Sequence, residues 1–173
     1  MVIRKGTEAD LEPVAALYDE VIDGLEANRN YPGWKKDVYP CRLDAEQGIR
    51  EKSLFVVEES GEIAGTFILR HRPEDGYAKA DWKNDLPYSE IYVVYTLAVS
   101  PRYSRRGVGK KIMEFILTLA ARQGMKAVRL DVYEKNIPAI RLYEKMGFSY
   151  VDTVDLGYSA YGLDRFRLYQ YLL

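Results

Sequence analysis

A single cysteine, Cys41, rules out an intrachain disulfide, and the chain reads as one kept in a reducing cytoplasm. No apolar run approaches the roughly 18–20 residues that a bilayer span requires, so no membrane partner is expected. The first residues, MVIRKGTEADL, hold no apolar leader segment. Charge of one sign is also missing: 25 basic residues face 26 acidic ones, leaving −1. That balance gives no global electrostatic reason to bind nucleic acid. What remains is a local basic cluster at 105–111, which reads as a site. Hydrophobic residues make up 47% of the 173, enough for one core, so residues 1–173 read as a single domain. Tyrosine is plentiful, with 15 copies, several of them in turn-rich segments.

Hydrophobic periodicity predicts the order of elements. Residues 2–5 read as a strand, and Thr7 opens a capping-box relative ahead of a helix through about 27. Leu11, Val14, Leu17, Tyr18, Val21 and Leu25 recur at helical spacing. The segment NRNYPGWKKDVYP is too punctuated for a core element, and a second helix follows near 43–52. Strands at 53–59 and 63–71 flank a hairpin signal. Residues 72–88 read as a long polar loop, and such loops are usually functional or mobile. Strand 90–99 is almost continuously apolar, as a centrally placed strand would be. Helix 108–123 carries Val108, Ile112, Phe115, Ile116 and Leu119 on one stripe. Strand 127–133, helix 137–146 and strands near 148–155 and 165–172 complete the chain.

The turn at 104–110 carries the clearest chemistry. A helix start presents N–H groups without intrahelical partners, and its dipole favours negative charge. Gly107 and Gly109 allow a pyrophosphate close to the backbone, and Arg105, Arg106, Lys110 and Lys111 add positive charge. A Walker loop would need glycine at Ser104 and a hydroxyl at Lys111, and a dinucleotide fingerprint would need glycine at Ile112. Neither pattern fits.

The pattern that does fit is the acyl-coenzyme A motif of the GNAT N-acetyltransferase family, which the chain resembles. Leu97-Ala98-Val99 ends a strand, and Ser104-Arg105-Arg106-Gly107-Val108-Gly109 follows a short connection. Ser104 departs from the glutamine or arginine usual at the head of that motif. The second family run, N-x-x-A-I-x-L-Y-E-K-x-G-F, is matched from Asn136 to Phe148. The resemblance implies a mixed α/β fold: a mostly antiparallel twisted sheet of six to seven strands, a parallel splayed pair in fourth and fifth place, and about four helices. It implies acetyl-CoA as co-substrate and no metal. Leu97, Ala98, Val99, Ser104, Arg105, Arg106, Gly107, Val108, Gly109, Lys110, Asn136 and Tyr143 would then bind the cofactor.

By the same resemblance, the Leu97 N–H would stabilise a developing oxyanion, a contribution of about 3–4 kcal/mol. Tyr143 would act as general acid toward the leaving thiolate. Some family members place a glutamate four residues before the position of Leu97, but Val93 stands there. Tyr95, which shares the face of Val93 and Leu97 by strand parity, His71, Glu90 and Asp131 are candidate bases, and a chain of water molecules is an equal alternative. Tyr31, Trp34 and Tyr39 are candidates for the acceptor site. Tyr158 and Tyr161 could close its other side or form a homodimer interface. The expected acceptor is a small molecule with a primary amine, or an amino-acid-like one, acetylated directly in a ternary complex. A peptide or protein N-terminus, or an acyl-CoA sensor without turnover, are the alternatives.

Overall fold

The computed structural model describes residues 1–173. In chain order the elements are β1 (Val2–Lys5), α1 (Leu11–Ala27), α2 (Arg42–Arg50), β2 (Leu54–Glu59), β3 (Glu62–Arg70), β4 (Ile91–Val99), α3 (Val108–Arg122), β5 (Ala127–Tyr133), α4 (Ile137–Lys145), β6 (Ser149–Val154) and β7 (Phe166–Leu172). The strands follow the hydrogen-bonded order β1-β2-β3-β4-β5-β7-β6. The pair β4–β5 is parallel, while β1–β2, β2–β3, β5–β7 and β6–β7 are antiparallel. This is the mixed seven-stranded, four-helix architecture expected from the sequence. Its contacts group the chain into two compact units, with boundaries in the α1–α2 connection, at the end of β3, inside β4 and inside α3.

The first unit comprises Met1–Asn30, Trp34–Leu69 and Tyr95–Phe115. Its core gathers Val14, Leu17 and Tyr18 of α1 with Leu54 and Val56 of β2, Ile68 of β3 and Ala98 of β4. The helical spacing of the α1 residues puts them on one stripe, and burying that stripe holds the helix in place. Phe55 and Phe67 stack with centroids 5.1 Å apart, and Phe115 meets both edge-on.

An ion pair fixes how the chain enters α1. Arg4 donates to both carboxylate oxygens of Asp10 at 2.8 Å, and the Thr7 N–H donates to Asp10 Oδ2 at 2.7 Å. The Arg4 hydrogen bond, reinforced by that N–H, holds the Asp10 carboxyl down at about 2 despite its burial. A depressed carboxylate stabilises the fold above its unfolded pKa, near 4, and loses that effect as pH falls through the folded value. Asp10→Ala should therefore cost about 2–3 kcal/mol at pH 7. The gap from the parent should narrow toward pH 2, as read by urea denaturation at both pH values.

The second unit comprises Tyr31–Gly33, Arg70–Val94 and Ile116–Leu173. Here Ile91–Val94 of β4 pair with Ala127–Leu130 of β5, and that pairing ends at Val94↔Leu130. β7 lies between β5 and β6, running from Ala127↔Leu172 to Tyr133↔Phe166 on one side. Residues 72–88 differ from the polar loop expected. Two short 3₁₀ turns, Asp75–Lys79 and Tyr88–Glu90, interrupt the segment. Tyr77 is fully buried and Trp82 is nearly so. A Cβ on Gly76 would lie 2.6 Å from Leu156 and 2.9 Å from the Asp155 carbonyl, so glycine lets this segment press against the β6–β7 connection.

Candidate functional site

In the first unit, the residues after β4 build the basic turn. Ser100 accepts a hydrogen bond from the Arg102 N–H and starts a 3₁₀ turn at Pro101–Tyr103. Arg105 and Gly107 then take positive φ values of 61° and 76°. The first α-helical bond of α3 runs from the Lys111 N–H to the Gly107 carbonyl at 3.0 Å. The N–H groups of Val108, Gly109 and Lys110 therefore precede any intrahelical acceptor, as an anion site requires. Gly107 has nothing within 4 Å of where a Cβ would stand, so its role is conformational rather than spatial.

The side chains around this turn are largely available. Ser104, Arg105, Arg106 and Lys110 are all exposed. Arg106 lies over the Tyr103 ring at 5.3 Å, and Lys110 pairs with Glu114 at 3.3 Å. Arg105 has no acidic partner. A helix start with open N–H groups and an uncommitted guanidinium fits a phosphate-bearing group.

Strand β4 departs from simple alternation. Val93 and Val94 are both buried, after which Tyr95, Leu97 and Val99 are half-exposed and Thr96 and Ala98 buried. Thr96 has a φ of 50°. The strand is thus bulged, and the parity that put Tyr95 and Leu97 on the face of Val93 does not hold. Val93 itself is fully buried and has no group to titrate. Tyr95 packs against the core of the first unit. Trp34 and Tyr39 meet edge-on at 6.1 Å, and the Tyr39 hydroxyl hydrogen-bonds Thr96 Oγ1 at 2.6 Å. Two of the three loop aromatics are therefore tied to the bulge of β4. Tyr31 belongs to the second unit instead.

In the second unit, α4 positions Tyr143. Asn136 stands at its N-cap position, but its side chain makes no capping hydrogen bond, contrary to the role its place suggests. Tyr143 is only 7% exposed and packs on Phe148 at 6.2 Å. Its hydroxyl makes no hydrogen bond within the protein. Burial, and after it the charge of Asp131, pushes the phenol above its ordinary value.

Asp131 lies on β5 one residue beyond the last pair with β4. The buried Tyr77 hydroxyl donates to its Oδ2 at 2.7 Å. Burial pushes the Asp131 carboxyl up to about 6; the Tyr77 hydrogen bond opposes this and the Glu74 charge adds to it. Glu74 is itself raised, chiefly by burial, with the Tyr158 hydroxyl bonded to it as the main opposing influence. Tyr158 also packs edge-on against Phe166, whereas Tyr161 is 57% exposed. The link between Tyr77 and Asp131 spans 54 residues, and only the packed structure reveals it.

His71 is placed differently from the sequence expectation. Its Nδ1 lies 2.8 Å from the Ile91 carbonyl and 3.2 Å from that of Tyr88, and its ring stacks on Tyr92. Ile91 pairs with Ala127, four residues along β5 from Asp131, which is about 13 Å of strand. His71 secures the entry to β4 and does not join Asp131 and Tyr143. Glu90 lies at the same end, where its carbonyl accepts from the Lys126 N–H at 2.8 Å.

Comparison with known proteins agrees with this layout. The family model described as "Acetyltransferase (GNAT) family" matches residues 16–148. A mycothiol acetyltransferase of Propionibacterium freudenreichii is 30% identical over 102 residues, covering 59% of this chain and 28% of that protein. A ribosomal protein bS18-alanine N-acetyltransferase of Escherichia coli is 34% identical over 56 residues, covering 32% of this chain and 38% of that protein. The chain thus aligns with well under two thirds of these curated relatives. A GNAT-family acetyltransferase structure from Streptococcus agalactiae superposes with a TM-score of 0.81 at 21% identity, covering 99% of this chain and 95% of that one. One from Listeria monocytogenes gives 0.75 at 23% identity, covering 99% and 94%. No helix is long and apolar enough to cross a membrane. With its family model matched across residues 16–148, the chain belongs to the GNAT acetyltransferase family.

Proposed function

We propose that the protein is an acetyl-CoA-dependent N-acetyltransferase acting on a primary amine of a small or amino-acid-like molecule, by direct transfer in a ternary complex. The observation that carries this reading is Tyr143: a buried phenol, kept protonated, with no hydrogen bond inside the protein and the Asp131 carboxylate close enough to raise it. A protein that only bound the cofactor would need no such proton donor.

Acetyl-CoA supplies an activated acetyl thioester, and the chain's own residues do the rest. The open N–H groups at the start of α3, with Arg105 and Arg106, would hold its phosphates. The backbone of Leu97, Ala98 and Val99 would orient the arm of the cofactor, the Leu97 N–H serving as oxyanion donor. Tyr143 holds the proton that a departing thiolate needs. Asp131, which titrates near 6, is ionised at neutral pH and can take a proton from an ammonium acceptor. Cys41 heads α2, where its N–H is bonded to Asp44 at 2.8 Å, and direct transfer assigns it no role. A peptide N-terminus is the second reading, favoured by the relative named as acting on a ribosomal-protein alanine.

Titration calorimetry tests the cofactor half. Acetyl-CoA should bind saturably, and no heat up to millimolar concentration would remove the proposal. Gly107→Ala forces a side chain into a left-handed conformation, which costs about 1–2 kcal/mol. Relaxing that strain disturbs the N–H cradle, so the variant should bind acetyl-CoA about tenfold more weakly. Unchanged affinity would show that the turn does not hold the phosphates.

A further inference from the structure

Arg129, the third residue of β5, has surroundings that the reaction above does not explain. It is 2% exposed, yet no carboxylate neutralises it. Its Nε donates to Gln170 Oε1 at 2.9 Å, Nη1 to the Tyr88 hydroxyl at 3.0 Å and Nη2 to Asn84 Oδ1 at 2.9 Å. All three acceptors are neutral. The guanidinium also lies 4.0 Å over the Trp82 ring and 5.2 Å from that of Tyr88. A guanidinium has five N–H groups, so two are left without a protein partner. Pinning the 82–88 segment to the sheet would require only a neutral donor, and burying a full charge unpaired is costly.

The same residue lines a cavity of about 480 Å³ with Glu74, Asp75, Tyr77, Asp85 and Tyr88, among others. That volume suits a small molecule. The acids make the cavity hostile to a plain anion, and Arg129 disfavours a plain cation near its own end. A molecule carrying both charges satisfies both. Arg129 and Asp131 share one face of β5, two residues and about 7 Å apart. Tyr77 connects them, lining the cavity while bonding Asp131.

Resting on the acetyltransferase reading, we infer that the acceptor carries a free carboxylate near its amine, with Arg129 holding the carboxylate through its two spare N–H groups and Asp131 facing the amine. A guanidinium is suited to this because its planar fork matches a carboxylate. Asn84, Gln170 and the Trp82 ring hold that fork in place, so Arg129 sets specificity and Asn84 positions it.

The test uses the whole chain, after calorimetry has established acetyl-CoA binding. Thiol release is followed with the twenty common L-amino acids and, in parallel, with their α-carboxamides, which keep the amine and lose the charge. At least one amino acid should be used about 100-fold more efficiently than its amide. In Arg129→Gln that ratio should fall close to one, through a raised KM for the amino acid with acetyl-CoA affinity retained. Asn84→Asp guards against misfolding, since it keeps the guanidinium but neutralises it in place; the preference should collapse there too. Equal or better use of amides or of peptides would overturn the inference. So would a preference that survives both substitutions, or no turnover of any amino acid by protein that binds acetyl-CoA. Absence of acetyl-CoA binding would instead overturn the underlying reading, and this inference with it.

Discussion

Tyr143→Phe should lower kcat by about 10²–10³-fold and leave acetyl-CoA affinity nearly unchanged. Phenylalanine keeps the ring that packs on Phe148, so the fold and the α4 position are preserved. What disappears is one O–H that makes no bond in the resting protein. Such a group contributes little to stability when removed. Its value lies in the proton delivered as the thiolate departs, and an interaction made only at that stage appears in kcat rather than in ground-state binding. Because burial raises the phenol above its ordinary value, it stays protonated across any practical assay range. No limb of the pH profile should therefore belong to Tyr143. Steady-state kinetics with calorimetry separate the outcomes, and a variant with parental kcat would show that the proton comes from elsewhere.

Asp131→Asn should move activity and stability in opposite directions. In the parent, kcat/KM should rise with pH through about 6, as the carboxyl ionises and becomes able to accept a proton. In the variant that limb should vanish, with kcat/KM down by about 10²-fold. Stability runs the other way. A carboxyl whose folded pKa is raised binds protons more tightly folded than unfolded, so the parent loses stability as pH climbs from near 4 to about 6. Above that, the ionised group costs up to about 3 kcal/mol. Asparagine has no such cost and can still accept from Tyr77. The variant should thus match the parent near pH 4 and exceed it near pH 8 in urea denaturation. A limb near pH 6 that persists in the variant would remove Asp131 as the base, and lower stability at every pH would show that its ionised form is not a cost to the fold.

Much of this was legible before the structure. The element order followed from periodicity and turn residues, both local properties, and the basic turn with its two motifs is contiguous in the chain. Failures came where the deciding partner is distant. Tyr77 and Trp82 look like stray aromatics in a polar loop until Asp131 and Arg129 are brought beneath them. Arg129 itself reads as one of two charges, with Asp131, on a largely apolar strand, and its lack of a carboxylate partner cannot be read from sequence. The parity argument for Tyr95 failed because a bulge is a property of a paired strand. Asn136 occupies the position of a cap, but the position alone does not make the hydrogen bond. His71 reads as a candidate base from the sequence, and the structure places it against two backbone carbonyls instead.

The place of β7 has a consequence for biosynthesis. The seventh strand in chain order is not at an edge of the sheet: Phe166–Leu172 fills the slot between β5 and β6, pairing with both. While the ribosome still covers those residues, β5 has no neighbour on that side and β6 has no neighbour at all. The buried charge of Arg129 also lacks Gln170, one of its three acceptors. The nascent chain must therefore carry an open strand edge until residue 172 has cleared the exit tunnel, and open edges invite pairing with other chains. The second unit completes its sheet only once β7 is free to pair, so a ribosome stalled before that point leaves an aggregation-prone intermediate.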